Sequence, residues 1–387
     1  MTGRWERYLE RWMTAGLIDR NAAERIRAYE GGQEKGQGLR WPVLLTIGLG
    51  GLLMGAGVLL FVAAHWDRLS PFERFGLVLL TVAVFHAAGA FAAERFPAFS
   101  SAMHAVGTVC LGAGILLAGQ IFNLEEHWPA GLMLWAVGAW VAWALLRDWP
   151  QAALAAVLTP MWLGGEWIEA TRGWIGAEKI LAEGFLLLTV TYLTAVLSGK
   201  ETSSRKGLVW IGGFALIPFT LAVIFSSAFD ALHEQSPPFP VGYQVFGWAA
   251  AMVFPLAAAW GLRGDAAGMN LIAALWVIVL GTTSPQRIVM AGGWLDHPWQ
   301  NLGPYGMCAL GAIGLIAWGL KEARKERINL GVAGFALTVL FFYFSNVMDK
   351  LGRSASLTGM GMLFLLGGWL LEKTRRRLVA RLEVGTE

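Results

Sequence analysis

The sequence predicts an all-α protein, a polytopic transmembrane helix bundle preceded by a small helical hairpin on the cytoplasmic side. Hydrophobic residues make up 56% of the 387 residues and charged residues only 15%, whereas soluble domains carry about 25% charged residues. Repeated uncharged runs of about 20 residues have the length that a helix needs to cross the hydrocarbon core. The 20 Trp and 49 Gly suit interfacial anchoring and close helix packing in a membrane.

The first predicted domain is a helical hairpin in residues 1–36. Trp5 and Trp12 belong to an apolar pattern with helical spacing, and Gly16 follows as a helix stop. Asp19 is then placed to cap a second helix. The basic and aromatic residues fit a hairpin lying on the inner leaflet and, equally, a solvated hairpin packed on the bundle.

The membrane domain is predicted over residues 37–372, and a basic cytoplasmic tail over 373–387. Twelve runs are long and apolar enough to cross the membrane. The fifth and ninth are the weakest, because one is short and contains Pro160 and the other runs into the helix-breaking sequence TTSPQR. The predicted spans are 41–64, 75–93, 101–124, 128–146, 149–165, 180–198, 207–228, 241–262, 267–284, 302–320, 328–347 and 354–371.

The distribution of positive charge gives the orientation of these spans. With the N-terminus inside, most of the 30 Lys and Arg residues fall in segments that should be cytoplasmic. Loss of one weak span would invert every later loop and place SSRKG or KEARKER outside. Twelve spans with both termini inside therefore fit best, and loss of two adjacent weak spans is the main competing topology.

Several classes of function are disfavoured by the composition and the motifs. The net charge of +3 is too small to imply a nucleic-acid partner. The only two cysteines, Cys110 and Cys308, lie in apolar runs and form neither a disulfide framework nor a CxxC metal site. No HExxH motif and no Ser-His-Asp arrangement is recognisable, so no metal site, catalytic residue or cofactor is assigned.

Two histidines fall inside predicted spans, His86 in the middle of the second and His104 near the start of the third. Intramembrane polar groups are costly and usually face the interior of a bundle. A lone imidazole there is more often a hydrogen-bonded packing residue than a proton relay, so packing is the preferred interpretation of each.

Glycine-rich strings in the first and third spans predict close helix packing. They lack the Lys-Ser/Thr of a phosphate loop and lie inside apolar runs. Gly51 with Gly55, and Gly114 with Ala118, are pairs of small residues four apart, which would let these two spans approach closely.

Polar residues gather where the predicted spans reach the outer face. If the ends of the first and third spans meet, they form a polar basin suited to a cation, a metal or a polar head group. Glu166 and Glu169 follow the fifth span on the same face. The plainer alternative is that outer loops are polar in any case. The residues predicted to line the basin are His65, Trp66, Asp67, Gln120, Asn123, Glu126 and His127.

The basin residues at the end of the first span also have structural interpretations. Trp66 is expected to anchor at the membrane interface. Asp67 is expected to cap the segment that begins SPFERF or to pair with Arg68 or Arg74.

Three stretches resemble the predicted bacterial membrane proteins called domain of unknown function 2157. They are LERWMTAGLIDRNAAERIRAY, GGLLMGAGVLLFVAAHWDRLSPFERF and LLAGQIFNLEEHWPAGLMLWAVGAW, and the resemblance is most specific over 40–146. Family members often have Asn where this chain has His65, which favours Trp66 and Asp67 for any family-wide role. The resemblance implies a multi-pass bacterial inner-membrane protein and no particular activity.

The leading hypothesis is a transporter-like or ligand-binding bundle with a periplasm-facing polar basin. The competing class is a non-transporting scaffold or sensor whose N-terminal hairpin binds a cytoplasmic protein. A membrane-embedded lipid-modifying enzyme is the third choice. The lipid bilayer is the one partner that every hypothesis shares, and homo-oligomerisation is left open.

Overall fold

The computed structural model divides the chain into two compact units, residues 1–124 and 125–387, each described here by itself. The described residues are Leu9, 11–27, 46, 49–50, 53, 57, 60, 70–121, 127–172, Trp174, 176–197, 201–230, 239–283, 289–290, 293–294, 302–346 and scattered positions between 358 and 373.

The N-terminal part of the first unit contains two short helical segments, residues 11–14 and 20–27. Gly16 between them has a φ of +70°, a left-handed conformation that glycine adopts without strain. The Asp19 carboxylate accepts a hydrogen bond of 2.6 Å from the backbone N–H of Ala22. The predicted helix stop and cap are thus both present, whereas the predicted domain boundary at residue 36 lies outside the described residues.

Two long helices complete the described part of the first unit, α1 (Pro71–Ala92) and α2 (Pro97–Ile121). Ser70 caps α1, since its hydroxyl accepts from the N–H of Glu73 at 3.3 Å and the Glu73 carboxylate accepts from the N–H of Ser70 at 2.7 Å. This reciprocal capping box satisfies two N–H groups that the helix cannot. The N-cap of α1 is therefore Ser70. Asp67, which was expected to cap this segment or to pair with Arg68 or Arg74, lies outside the described residues.

The helices α1 and α2 pack against each other along small residues. A Cβ atom on Gly114 would lie 2.7 Å from Cγ1 of Val78, so only glycine permits this approach. Gly114 thus allows close contact with α1, which corresponds to the second predicted span. Its contact with the first span stays a prediction, because Gly51 and Gly55 lie outside the described residues. The buried core of the pair is Phe85, Met103, Val106 and Cys110.

The second unit contains eight long helices in its described residues. A 3₁₀ turn, Gly264–Ala267, joins the fifth to the sixth of them, and a two-residue antiparallel ribbon pairs β1 (Val289–Met290) with β2 (Gly293–Trp294). The fold is otherwise helical, as predicted. The helices are α3 (Pro129–Leu146), α4 (Trp149–Ala170), α5 (Ala177–Leu193), α6 (Ser203–Asp230), α7 (Val241–Arg263), α8 (Gly268–Thr282), α9 (Gly303–Lys321) and α10 (Lys325–Asn346).

Helix α5 is the centre of the second unit. It contacts α4, α6, α7 and α8, and most of its residues are buried. Its apolar side chains pack with residues of α6 and α8, whose buried members include Val223 and Val277. A polar residue on α5 therefore has little access to solvent.

Seven helical stretches among the described residues are long and apolar enough to cross a membrane, which is consistent with a multi-pass membrane protein. Helices α4 and α5 are not among them, and α7 and α8 together count as one continuous stretch. The predicted spans 41–64 and 354–371 lie mostly outside the described residues. The stretches are Pro71–Ala92, Pro97–Gly119, Pro129–Leu146, Ser203–Ser226, Val241–Thr282, Gly303–Lys321 and Lys325–Phe344.

Aromatic side chains gather where α4 ends and where α5 and α7 begin, which we call the aromatic end. The Trp167 indole N–H donates to the carbonyl of Ala177 at 2.9 Å, and its ring lies edge-on to Phe239 at 6.0 Å. Trp174 packs edge-on against Tyr243, with ring centroids 4.9 Å apart. Trp and Tyr are typical of the membrane–water interface, where one side of the ring is apolar and the other meets water.

The opposite end of the second unit, where α5, α7 and α9 end and α6 and α10 begin, is called the basic end. Here Arg263, Glu322 and Arg327 form what we call the arginine node. Both guanidinium groups are almost fully buried and bind the same carboxylate, each at 2.5 Å. The Trp318 indole N–H donates to that carboxylate at 2.6 Å. The guanidinium groups of Arg263 and Arg327 lie over the Trp318 ring, 5.2 and 5.5 Å from its centroid.

The node also closes the C-terminus of α5. Arg263 donates to the carbonyl of Thr194, and Arg327 donates to the carbonyls of Thr194 at 3.3 Å and Val196 at 3.1 Å. Nearby, Arg205 donates to the carbonyl of Ala195 at 3.0 Å. The last carbonyls of a helix lack partners within the helix and carry its negative dipole end, so buried cations are favourable there.

The carboxylate of Glu322 is ionised because of these contacts. Burial raises its pKa, but hydrogen bonds from Arg263, Arg327 and Trp318 outweigh that effect and hold the pKa below its ordinary value. Its contribution to stability is full above the pKa of the unfolded chain and is lost as the pH falls through the lower pKa of the folded protein.

Replacement of Glu322 by Gln should lower the free energy of unfolding by about 3–5 kcal/mol, because two buried guanidinium groups lose their counter-ion. The measurement is unfolding of the purified chain in detergent near neutral pH, with Glu326→Gln, an exposed change on α10, as the matched control. The difference from the unaltered protein should shrink as the pH falls through the pKa of Glu322. Equal stability of the Glu322 and Glu326 variants would show that the node is not a stabilising element.

Candidate functional site

The structure describes only part of the predicted basin. His127 is described in full, and Gln120 lies in α2, where only the backbone is described. Gln120 belongs to the first unit and His127 to the second. The basin as a whole therefore stays a prediction. Its other members lie outside the described residues, namely His65, Trp66, Asp67, Asn123 and Glu126.

His127 pairs with an acidic residue from the end of α4. Its Nε2 lies 2.5 Å from Oε2 of Glu166, whose other carboxylate oxygen accepts from the Trp162 indole N–H at 2.9 Å. That Trp162 hydrogen bond, followed by the contact with His127, holds the pKa of Glu166 below its ordinary value against a small opposing effect of burial. Both side chains of this hydrogen-bonded contact are more than a third exposed, so it is accessible to a polar ligand.

A second carboxylate lies one helical turn further along α4. The Trp128 indole N–H donates to Glu169 at 3.0 Å, and Arg172 pairs with the same oxygen at 3.1 Å. Trp128 packs on Gly165, where a Cβ atom would lie 2.9 Å from its ring. Each of the two carboxylates is thus held by an indole N–H, and Glu166 keeps the less compensated negative charge.

A second cluster, which the sequence interpretation did not foresee as a cluster, lies between α1 and α2. The Nδ1 atoms of His86 and His104 are 3.0 Å apart, and the ring centroids are separated by 5.2 Å. His104 is buried and His86 is half-buried. At this distance one Nδ1 donates its proton to the bare Nδ1 of the other ring.

Each imidazole of this pair packs directly against a glycine of the opposite helix. A Cβ atom on Gly89 would lie 2.8 Å from Nε2 of His104, and one on Gly107 would lie 2.9 Å from Nε2 of His86. The arrangement is reciprocal, because each histidine precedes its own glycine by three residues. The sequence signal was the repeat of HAAG at 86–89 and HAVG at 104–107, which places a histidine and a glycine on one face of both helices.

A paired geometry gives these histidines a chemistry that a lone imidazole lacks. A proton that reaches Nε2 of the donor ring, beside the glycine of the opposite helix, makes an imidazolium, whose Nδ1 proton can cross to the partner. The partner then releases its own Nε2 proton, so one proton enters at one ring and another leaves from the second. The donor and acceptor roles are reversed after each passage, so the pair must be reset before the next proton crosses in the same direction.

The comparison with protein families bears on the N-terminal part of the chain. Residues 10–152 match the model of the family described as "Predicted membrane protein (DUF2157)". This match confirms the resemblance drawn from the sequence. The DUF2157 segment contains the paired histidines on α1 and α2 and also His127 before α3, whereas Glu166 and the arginine node follow it. No curated protein and no solved structure matches the chain.

Beyond the DUF2157 segment lies a buried acid that the sequence interpretation missed. Glu183 on α5 is fully buried, and neither of its carboxylate oxygens has a hydrogen-bond partner among the described residues. The carboxylate lies directly against Gly281 of α8, where a Cβ atom could not be accommodated. An acidic residue inside the predicted span 180–198 was the available signal, since such residues are costly in a membrane and often functional.

Two further buried polar residues have incomplete partners. Among the described residues, neither polar side-chain atom of the fully buried Gln151 has a hydrogen-bond partner. Asn270 donates to Thr194 at 3.2 Å, while its amide oxygen has no partner in the same part of the chain. In the part of the chain that the structure describes, no group of three or more His, Cys, Asp or Glu side chains could hold a metal ion.

Replacement of Gly89 by Ala should destabilise the protein by about 1–3 kcal/mol, because the added methyl group would displace the His104 ring from its seat. The matched control is Gly76→Ala on the same helix, where nothing lies within 4 Å of an added Cβ atom. We expect the control to be neutral or stabilised by up to about 1 kcal/mol, since Ala favours helix over Gly. Thermal unfolding of both variants measures this, and equal stability would refute the reciprocal packing.

Proposed function

We propose that the protein is a proton-coupled, transporter-like protein of the bacterial inner membrane. The observation that carries this proposal is the pair of imidazoles, His86 and His104, held 3.0 Å apart between two apolar helices. Placing ionisable groups there costs free energy that a pair of apolar side chains would not cost. Each imidazole packs against a glycine of the opposite helix, which indicates that the helix interface is shaped to accommodate the pair.

The stepwise chemistry of the pair favours a carrier over an open proton channel. One passage of a proton reverses the hydrogen-bond direction between the rings, and a second event is required to restore it. A carrier alternates between states and offers such an event in each cycle. Two imidazolium rings at 3.0 Å would repel each other, so the pair holds at most one added proton at a time.

The proposed ligand site is the polar basin at the outer face. It would be lined by His65, Trp66, Asp67, Gln120, Asn123, Glu126 and His127. Support comes from the exposed contact between His127 and the carboxylate of Glu166. With the carboxylate held by Trp162, this pair presents negative charge beside an aromatic ring, which suits a cationic or polar head group.

The proposed topology has twelve spans with both termini in the cytoplasm. In this topology, α5, α7 and α9 are the sixth, eighth and tenth spans, and all three should end on the cytoplasmic side. Support comes from the second unit, where the ends of these three helices lie together at the basic end. The same end holds the loops rich in Lys and Arg, which favours a cytoplasmic location. In this topology, residues 37–372 form the membrane bundle and residues 373–387 form a basic tail in the cytoplasm.

The N-terminal hairpin, residues 1–36, is proposed to lie at the cytoplasmic face. Trp12 and Leu17 are exposed there, 43% and 72% respectively, so an apolar surface is available to the inner leaflet or to a cytoplasmic protein partner.

The proton-relay proposal is tested with the full chain in liposomes that contain a pH-sensitive dye, with proton entry driven by an imposed potassium diffusion potential. No substrate is added, so the rate measured is the uncoupled proton leak through the relay. His104→Gln should slow proton entry by at least about tenfold, because an amide cannot accept and release the transferred proton. The matched control is Thr81→Val on α1, whose hydroxyl donates only within its own helix, to Leu77. Unchanged proton entry in the His104 variant would end the proposal.

The topology is tested by labelling single cysteines in intact cells with a membrane-impermeant maleimide. Ala170→Cys, at the end of α4, should be labelled from outside, whereas Lys321→Cys, at the end of α9, should be labelled only after the cells are opened. Cys110 and Cys308 are replaced by Ala in both proteins to remove background. External labelling of Lys321→Cys would exclude twelve spans with both termini inside.

A further inference from the structure

We infer that the second unit binds one anionic phospholipid at its basic end, with the head group between α6 and α10 and an acyl chain in an adjoining apolar cavity. This inference is independent of the proton relay and of the outer basin. It depends on two neighbouring cavities, the charges that line one of them and the apolar surface of the other.

The apolar cavity lies among α5, α6, α8, α9 and α10 and has a volume of about 690 Å³, within the usual range of ligand-binding sites. Three of its polar side chains are already hydrogen-bonded. Thr220 and Thr338 each donate to a carbonyl of their own helix, at 2.7 and 2.8 Å, and Trp276 donates to the carbonyl of Met307 at 2.9 Å. The rest of the wall is apolar apart from the Tyr305 hydroxyl and the Cys308 thiol, so the cavity offers mainly hydrocarbon contacts, as an acyl chain requires.

The second cavity is a groove of about 630 Å³ at the basic end. Leu193 and Leu330 line both cavities, so the apolar cavity and the groove are adjacent. On the outer wall of the groove, Trp210 and Phe214 are stacked at 5.8 Å and are 69% and 75% exposed. An exposed Trp near the start of an apolar helix, as Trp210 is in α6, is typical of the level of the lipid head groups.

The groove carries three cationic side chains and two carboxylates. Lys206 and Arg324 both contact Glu201, at 3.4 and 2.5 Å, and Glu326 is the second acid. Arg327 lies deeper and is engaged by the arginine node. A Lys offers three N–H donors and an Arg five, so one carboxylate leaves most of the donors of Lys206 and Arg324 available. Lys206 and Arg324 balance Glu201 and Glu326, so the one net positive charge at this end lies in the arginine node, where two guanidinium groups share the carboxylate of Glu322. This charge favours an anionic head group over a zwitterionic one.

A phospholipid suits this arrangement better than free phosphate. Free phosphate would use the basic groups and leave the adjoining apolar cavity without a role. A lipid of the inner leaflet has its phosphate at the level of the basic end and its chains along the apolar helices. The lipid enters sideways, since the exposed Trp210 and Phe214 face the surroundings rather than the core.

The experiment is native mass spectrometry of the full chain released from micelles that contain phosphatidylglycerol and phosphatidylcholine in equal amounts. The unaltered protein should retain one phosphatidylglycerol in preference to phosphatidylcholine. The double variant Lys206→Gln, Arg324→Gln should reduce that preference by roughly 25-fold, about fivefold for each removed charge. The control is Lys321→Gln, an exposed change at the same end that removes one positive charge and lines neither cavity, so it should not show the fivefold loss expected for each groove charge.

A second pair of variants tests the acyl-chain cavity without touching the charges. Gly314→Leu places a side chain in the apolar cavity, and nothing lies within 4 Å of the added Cβ atom, so the protein should fold. It should lose retention of both lipids. Gly306→Leu, on the same helix and equally free of neighbours, lines neither cavity and should retain lipid normally.

Three results would overturn the inference. They are equal retention of the two lipids by the unaltered protein, full retention by Gly314→Leu, and displacement of phosphatidylglycerol by inorganic phosphate alone. The first would indicate ordinary boundary lipid, the second a chain that lies elsewhere, and the third a simple anion site.

Discussion

The second unit is organised by the need of buried backbone carbonyls for hydrogen-bond donors. Helix α5 ends inside the protein, where water is not available to its last carbonyl groups. Arg263 and Arg327 provide the donors, but each brings a charge that must itself be compensated. Glu322 compensates both, and because these three residues come from the ends of α7 and α9 and the start of α10, one local requirement fixes the positions of four helices.

Contacts of a glycine with a large polar or aromatic side chain recur in both units. His104 lies on Gly89, Trp128 on Gly165, and the carboxylate of Glu183 on Gly281. In each case the bare backbone provides space for a group that could not otherwise reach the helix interface. Small residues thus serve here for more than close helix approach. They create room for the functional groups of the candidate sites, which explains why polar side chains can lie between apolar helices without separating them.

Much of the fold was predictable from the sequence, while the pairing of residues across helices was not. Apolar runs gave the helices from Pro71 onward to within a few residues, because length and hydrophobicity are local properties. The start of α1 was misjudged, although Ser70 and Glu73 have the spacing of a capping box. Spacing also reveals which residues share one helix face, but not which two faces meet. For that reason the HAAG and HAVG repeats can be found in the sequence, but the contact between their imidazoles cannot be predicted from it.

The reciprocal seating of His86 and His104 has a consequence for evolution. A histidine without its opposite glycine would clash, and a glycine without its opposite histidine would leave a void, so either change alone is penalised. The four positions, two on each helix, are therefore expected to coevolve. Lineages that lost the imidazole pair would be expected to have exchanged all four residues together, and the covariation of these positions would record that history more clearly than the identity of either histidine.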